Sequence, residues 1–337
     1  MHRFKILCNH DDPNSFCHGS FSKFLSKHFD LVRFGDGIKH NKKDTLIAVA
    51  AFNFKSGNPE ANDWYRSYLD QGFKILVDGL WEHKEFSKIF RSTYKFDNLP
   101  HWPETDGNFF ICHIKNWFWY LESVWYTDMG YHTYRPNKTY TKLALMPMRV
   151  NRRHRSETLV RMSSMLDDMI WSYASHEKYL PNDFSPDHPQ FQRHFDPSWY
   201  DSTYYSLVTE TYAEEDAHIS SDIFVTEKTF KPVAFYHPFM CVAQQGHLAY
   251  LKSQGFETFE NMFDESYDQI PTVGERIKHI VSQSKSFKRK YYRKRKPYSQ
   301  LTWDKLAHNH DRFYNQQIVE SCLIKELVEP ILQYAES

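Results

Sequence analysis

The sequence predicts an α/β protein built from two Rossmann-like domains that face a cleft, and three observations carry that expectation. Short apolar runs alternate with amphipathic stretches, which is the pattern of a parallel sheet with helices on both faces. The alternation runs twice, restarting after a polar stretch at residues 131–140. At 337 residues the chain is long for one core and comfortable for two.

In the first pass, residues 4–8 read as a strand, and 19–29 as a helix with Phe21, Phe24, Leu25 and Phe29 on one face. Residues 31–34 and Thr45–Ala50 read as further strands, 64–71 as a helix, and 74–77 as a strand ending at Asp78-Gly79. Residues 109–113 and 118–121 continue the strand pattern, and 131–140, with Pro136 and Asn137, suit a linker. In the second pass, 143–148 form a strand and 149–155 a basic loop. A helix from Ser156 follows, placing Leu159, Met162, Met165, Leu166 and Ile170 at three- to four-residue spacing.

Residues 174–203 show no period and read as irregular. Strands are then expected up to Glu210, at 223–225 and at 239–243, with a helix through 230–235. Leu248 opens a short helix that Gly255 can cap, 277–284 is helical, and 303–334 offer terminal helices. The expected division is 1–138 as an acceptor-side domain, 139–300 as a ligand domain, and 301–337 as helices crossing back to the first domain.

Composition narrows the classes. Phe and Tyr number 27 and 22 against 11 Gly, which argues for a folded chain over a disordered one. The five cysteines are far apart and form no Cys-x-x-Cys, so neither a disulfide framework nor a zinc knuckle is expected. No apolar run approaches the roughly 20 residues of a membrane span, and the N-terminal apolar stretch is too short for a signal peptide. A soluble, cytoplasmic protein is expected. Gly-x-Gly-x-x-Gly and Gly-x-x-x-x-Gly-Lys-Ser/Thr are both missing, which counts against dinucleotide enzymes such as epimerases and dehydrogenases, and against P-loop NTPases.

Residues 207–232 hold the densest chemistry. An apolar run ends in Glu210, a polar loop follows, and a second apolar run delivers Thr226-Glu227-Lys228 onto a helix start. At the mouth of a buried strand, Glu227 can accept from ribose hydroxyls while Lys228 neutralises a diphosphate. The same residues also read as a helix cap, with Thr226 at the N-cap and an acid in the first turn. Upstream, Asn151-Arg152-Arg153-His154-Arg155 sits between a strand and a helix. Doubly wound domains bind phosphate there through backbone N–H groups and the helix dipole. Arginines supply the charge in place of glycines, which suits bidentate phosphate contact; a solvated basic turn is the plain alternative.

These residues, in this order, resemble the donor-binding domain of α1,3-fucosyltransferase-type enzymes, where Phe-x-Glu-Asn and a loop precede Tyr-Val/Ile-Thr-Glu-Lys. The chain more closely resembles glycosyltransferase-like proteins of phages and large viruses. Those carry Asn-Arg-Arg-x-Arg, then Thr-Glu-Lys-Thr-Phe-Lys-Pro-Ile, and later Asp-Glu-Ser-Tyr-Asp. This chain has 151–155, 226–232 followed by Val233, and 264–268 in the same order. The resemblance implies a GT-B glycosyltransferase using a GDP- or UDP-sugar, with no bound metal or other cofactor. By position, it implies that Glu227 holds the ribose beside Thr226. Lys228 and one of Arg152, Arg153 and Arg155 would hold the diphosphate, and Glu210 would line the sugar or nucleotide pocket. Thr211 replaces the Asn of the fucosyltransferases, so GDP-fucose itself is not implied.

The chemistry agrees with that placement. Sugar transfer must stabilise a departing nucleoside diphosphate, by a divalent metal or by fixed cations and helix N-termini. Metal-dependent transferases normally carry Asp-x-Asp, which this chain does not. Glu214-Glu215-Asp216 reads as a solvated loop. An inverting transfer also needs a base for the acceptor hydroxyl. Asp12 and Asp78 are the leading candidates, with Asp11, His10 and Glu82 behind them. All five follow expected strands, although Asp-Pro and Asp-Gly also serve as plain turn formers. Residues 264–268 either contact the sugar or cap a turn, while Lys231-Pro232 is read as shaping the helix.

Residues 285–296 carry eight cations and no acid; with a formal net charge of zero, the rest of the chain carries −8. Lys288, Arg289, Lys290, Arg293, Lys294 and Arg295 alternate with Phe287, Tyr291 and Tyr292. Such a run is either a solvated face or a surface for a nucleic acid, with charge on phosphates and rings on bases. If it serves a nucleic acid, hydroxymethylated phage DNA is the expected acceptor; a glycan acceptor, lipid-linked or polysaccharide, is the competing one, in which the run would meet an anionic membrane surface. The rival function is a nucleic-acid-binding protein with an inactive transferase fold.

Overall fold

The computed structural model describes residues 3–8, 19–33, 40–50, 68, 71–78, 105–106, 109–112, 115–183, 196–213 and 223–337. It is a mixed α/β chain with two sheets, one of six strands and one of four. The chain divides into two units, one formed by Met1–Leu121 with Gln317–Ser337 and the other by Glu122–Glu215 with Ile223–Gln316.

In the first unit the sheet order is β2-β1-β3-β4-β6-β5, with β1 Lys5–Cys8, β2 Asp30–Arg33, β3 Thr45–Ala50, β4 Lys74–Asp78, β5 Thr105–Asp106 and β6 Phe109–Cys112. All pairings are parallel except β5 with β6. The chain runs from β1 to β2 on one side and then returns to β3 on the other, so β1 and β3 flank the topological switch point. Helix α1 (Gly19–Leu25) buries Phe21, Phe24 and Leu25. Its Phe21 ring lies 4.3 Å from that of Trp117.

Residues 118–121, expected as a strand, belong instead to helix α2, Trp117–Asp128. A five-residue apolar run cannot distinguish the two states. The wider window can: Asn116, Tyr120, Ser123 and Tyr126 are buried at helical spacing. The terminal helices α9 (Gln316–Leu323) and α10 (Glu329–Glu336) are joined by a π-helical turn at Ile324–Val328, and Lys74 Nζ donates to Tyr334 O at 2.7 Å.

The second unit holds a four-stranded parallel sheet in the order β10-β9-β7-β8, with β7 Lys142–Met148, β8 Ile170–Tyr173, β9 Thr203–Thr209 and β10 Phe239–Val242. Strand β9 is buried along its whole length, as a strand flanked on both edges and covered on both faces must be. The chain runs from β7 to β8 on one side, then returns to β9 on the other. The switch point therefore falls between β7 and β9. Around the sheet lie α3 (Arg153–Met162), α4 (Pro197–Ser202), α5 (Glu227–Ala234), α6 (His247–Ser253), α7 (Val273–Lys290) and α8 (Gln300–Tyr314).

Four expectations change here. The helix from Ser156 does not reach Ile170: α3 ends at Met162, a 3₁₀ turn spans Ser163–Asp168, and Ile170 opens β8. Residues 223–225 form no strand; Phe224 N instead donates to the Gln244 side chain, to Oε1 at 2.8 Å. The stretch read as irregular contains α4, started by Asp196, whose carboxylate accepts from Ser198 N, with Pro197 next. The 131–140 stretch is no linker, since Tyr134 packs edge-on to Phe235 and Tyr140 stacks on Tyr204 at 4.4 Å. Those contacts tie it to the second unit, whose division from the first falls between Leu121 and Glu122. Gly255 does take the left-handed φ of +80° that ends α6.

Candidate functional site

The carboxyl ends of β7, β8 and β9 open into a pocket of about 350 Å³ within the second unit. Met148, Ser172 and Thr209 bring the strand ends to it, while Arg152 and Lys228 come from the starts of α3 and α5. This is the switch-point position where open α/β sheets collect ligands. Two helix N-termini meet there, and each offers unbonded N–H groups and partial positive charge. At α3 the cap residue is Arg152, which makes no side-chain cap bond, so no cap side chain takes the first N–H groups.

The cations differ in role. Arg152 lines the pocket, and its guanidinium lies 5.2 Å from the centre of the Tyr212 ring. Its buried Nε has no partner among the described residues, and neither has the Thr209 hydroxyl, whose residue is 1% exposed. Buried polar atoms left without partners cost stability, so a ligand or solvent acceptor is expected at both. Arg155 is buried and donates to Val150 O, Thr209 O and Glu210 O at 3.0–3.2 Å. It ties α3 to the end of β9, and burial followed by repulsion from Arg152 lowers its pKa. Arg153 is exposed and takes no part in the pocket lining. Arg155 also lines the pocket, but its two terminal nitrogens are held by the Val150, Thr209 and Glu210 carbonyls, so of the three arginines the structure leaves Arg152 to face a ligand.

Helix α5 supplies Glu227, Lys228 and Lys231, all on the pocket lining. Thr226 is its N-cap, accepting from Lys228 N at 3.3 Å, and the same turn faces the pocket. Lys228 Nζ donates to Glu227 Oε1 at 2.7 Å, Thr211 Oγ1 at 3.1 Å and Thr226 Oγ1 at 3.2 Å. Burial pushes the Glu227 carboxyl up, yet Lys228 and Lys231 outweigh it and hold its pKa below the ordinary value. Burial lowers the Lys231 ammonium, opposed by Glu227 and Glu122.

Glu210 stands elsewhere than the resemblance implies. It is fully buried, is not part of the pocket lining, and accepts four hydrogen bonds from Thr211, Thr226 and Thr229. Residues 264–268 lie outside the lining as well. Asp264 caps the turn Glu265–Gln269, while Asp268 accepts from Leu248 N and Ala249 N at the start of α6. Of the candidate bases, Asp78 is the last residue of β4; His10, Asp11, Asp12 and Glu82 lie outside the described residues, as do Glu214, Glu215 and Asp216.

In the basic run the rings are engaged. Phe287 is buried, Tyr291 stacks on it at 4.7 Å, and Tyr292 donates to Thr141 O and Asp168. Lys288 pairs with Asp168; Lys285 is exposed within α7, and Arg289, Lys290, Arg293, Lys294, Arg295 and Lys296 are exposed at its end and beyond it.

Sequence reasoning missed Thr209, Lys231, Trp199 and Tyr200 on the pocket wall. Asp196-Pro197 was the available signal for α4, which carries Trp199 and Tyr200; Lys231 follows Glu227 by one helical turn. Among the described residues, no cluster of three or more His, Cys, Asp or Glu is arranged to hold a metal ion, and no helix is long and apolar enough to cross a membrane. No protein-family model matches the chain, and no curated protein matches it.

Proposed function

We propose that the chain is a GT-B-type glycosyltransferase that binds its nucleotide-sugar donor in the pocket between α3 and α5. The observation that carries this reading is the convergence of two helix N-termini, Arg152, Lys228 and Glu227 on one pocket at a sheet switch point. A volume of about 350 Å³ falls within the range of small-molecule and cofactor sites. In this reading Glu227 accepts from the ribose hydroxyls, and Arg152 and Lys228 face the diphosphate.

The transfer inverts the anomeric carbon. An acceptor hydroxyl oxygen bonds to the anomeric carbon, whose bond to the diphosphate oxygen breaks. The bonding pair leaves with the nucleoside diphosphate, and a general base takes the hydroxyl proton. Negative charge builds on the leaving oxygen, where fixed cations and N–H dipoles stabilise it without reorganising.

A thermal-shift screen across nucleotides and nucleotide sugars tests the reading. A ligand bound only by the folded state raises the melting temperature, by about 2.7 kcal/mol of apparent stability at 100 times Kd. A rise with one diphosphate nucleotide and its sugar supports the proposal; no rise with any of them ends it. The second reading, a nucleic-acid-binding protein with an inactive transferase fold, draws on the six exposed cations at 289–296.

A further inference from the structure

We infer that Glu210 is a positioning residue for Lys228, acting through the hydroxyls of Thr226 and Thr211. The inference rests on the donor-site reading for its purpose, but its geometry stands independently. The Glu210 carboxylate is fully buried and accepts two bonds on each oxygen. Oε1 takes Thr226 N at 3.1 Å and Thr229 Oγ1 at 2.6 Å; Oε2 takes Thr226 Oγ1 at 2.6 Å and Thr211 N at 3.0 Å. An ionised carboxylate has about four acceptor positions and no donor, so Glu210 is saturated and has none left for a ligand.

That saturation sets proton directions downstream. Thr226 has one hydroxyl proton, and Glu210 takes it. Both lone pairs of Thr226 Oγ1 are then turned to Lys228, whose backbone N lies at 3.3 Å and Nζ at 3.2 Å. Thr211, held through its own N–H, presents its hydroxyl to Lys228 Nζ at 3.1 Å. Glu227 Oε1 takes the third ammonium proton at 2.7 Å. Thr229 likewise gives its proton to Glu210, so its oxygen accepts from His247 Nε2 at 3.1 Å, which assigns the ring proton to Nε2. The ammonium therefore sits in a fixed three-acceptor cradle on the pocket wall, and Glu210 orients two of its three walls without reaching the pocket itself.

Glu210→Gln is the sharp variant. Its amide nitrogen must face either Thr226 N–H or Thr211 N–H, and a backbone N–H cannot reverse to accept. The experiment compares wild type, Glu210→Gln, Thr226→Val and Thr226→Ser as full-length chains. Each is melted to confirm folding and then treated with an amine-reactive reagent, with labelling of Lys228 read by mass spectrometry against exposed Lys252. Loosening one cradle bond is expected to speed Lys228 labelling about threefold or more in Glu210→Gln and Thr226→Val, with Thr226→Ser at the wild-type rate. Unchanged labelling in a folded Glu210→Gln overturns the inference. If that variant fails to fold, unchanged labelling in Thr226→Val does so.

A second readout separates this inference from the proposed function. Inorganic pyrophosphate binding is measured for wild type, Glu210→Gln, Lys228→Ala and the double variant. The expected loss is about tenfold in each single variant and no greater in the double, because Glu210 acts only by placing the Lys228 charge. Additive losses overturn the inference. Wild type that binds no pyrophosphate counts against the donor site, while the labelling still decides the role of Glu210.

Discussion

Glu210 Oε2 accepts a 2.6 Å hydrogen bond from Thr226 Oγ1, so the residue that follows β9 holds the cap that starts α5. His154 Nε2 lies 2.9 Å from the carbonyl of the same glutamate, and Arg155 donates to that carbonyl at 3.1 Å. One residue therefore joins the starts of α3 and α5 at the switch point. The two N-termini that face the pocket are held by a buried polar network, and the pocket's charged side chains project from its rim.

The arginines give the first prediction. Arg152 faces the pocket and Arg153 faces solvent. Arg152→Ala should weaken diphosphate binding about tenfold, the scale of one charge-assisted contact, and Arg153→Ala should leave it unchanged. Titration of both variants with a nucleoside diphosphate checks this; equal losses would mean that bulk basic charge binds the anion.

Acid stability gives the second. His154, His237 and His247 are buried, and burial is the leading cause that lowers all three: His154 to about 4, His237 well below its ordinary value. Between about pH 4 and 6.5 the unfolded chain binds more protons than the folded one. The stabilisation is complete above pH 6.5 and declines as pH falls through that window. His154 alone removes roughly 3 kcal/mol by pH 4. Circular-dichroism melts should show a falling midpoint from pH 7 to 4.5, with a shallower slope in His154→Gln. A slope identical to wild type would mean that His154 does not titrate this way.

The exposed cations at 289–296 give the third. With Phe287, Tyr291 and Tyr292 packed against the protein, stacking on bases is not available to them, and phosphate contact is what remains. Duplex DNA binding should weaken steeply with salt, with a log–log slope of about −4 to −5 for five or so phosphates. Changing Arg289, Lys290, Arg293 and Lys294 to Ser should abolish it. Equal binding by both proteins would exclude the patch.

How far the sequence could be read follows from the kind of signal each element carries. Strands β3 and β7 and the start of α5 were legible because apolar period and cap chemistry agree there. Strand β8 was hidden because Met162, Met165, Leu166 and Ile170 continue a helical spacing that the chain abandons after Met162. Arg152, Glu227 and Lys228 were legible as a group, since charge at a strand end is a local feature. The interior role of Glu210 was not, because it depends on three threonines, two of them 16 and 19 residues away, whose hydroxyls converge only in the fold.

The central claim is that the pocket beside Lys228 holds a nucleoside diphosphate. Calorimetry of wild type and Lys228→Ala with GDP and UDP tests it most directly. The account predicts binding of one of them by wild type, a loss of about tenfold to a hundredfold in Lys228→Ala, and a ligand-free variant that still melts cooperatively as a folded protein. Equal affinity of the two folded proteins for the nucleotide would contradict it.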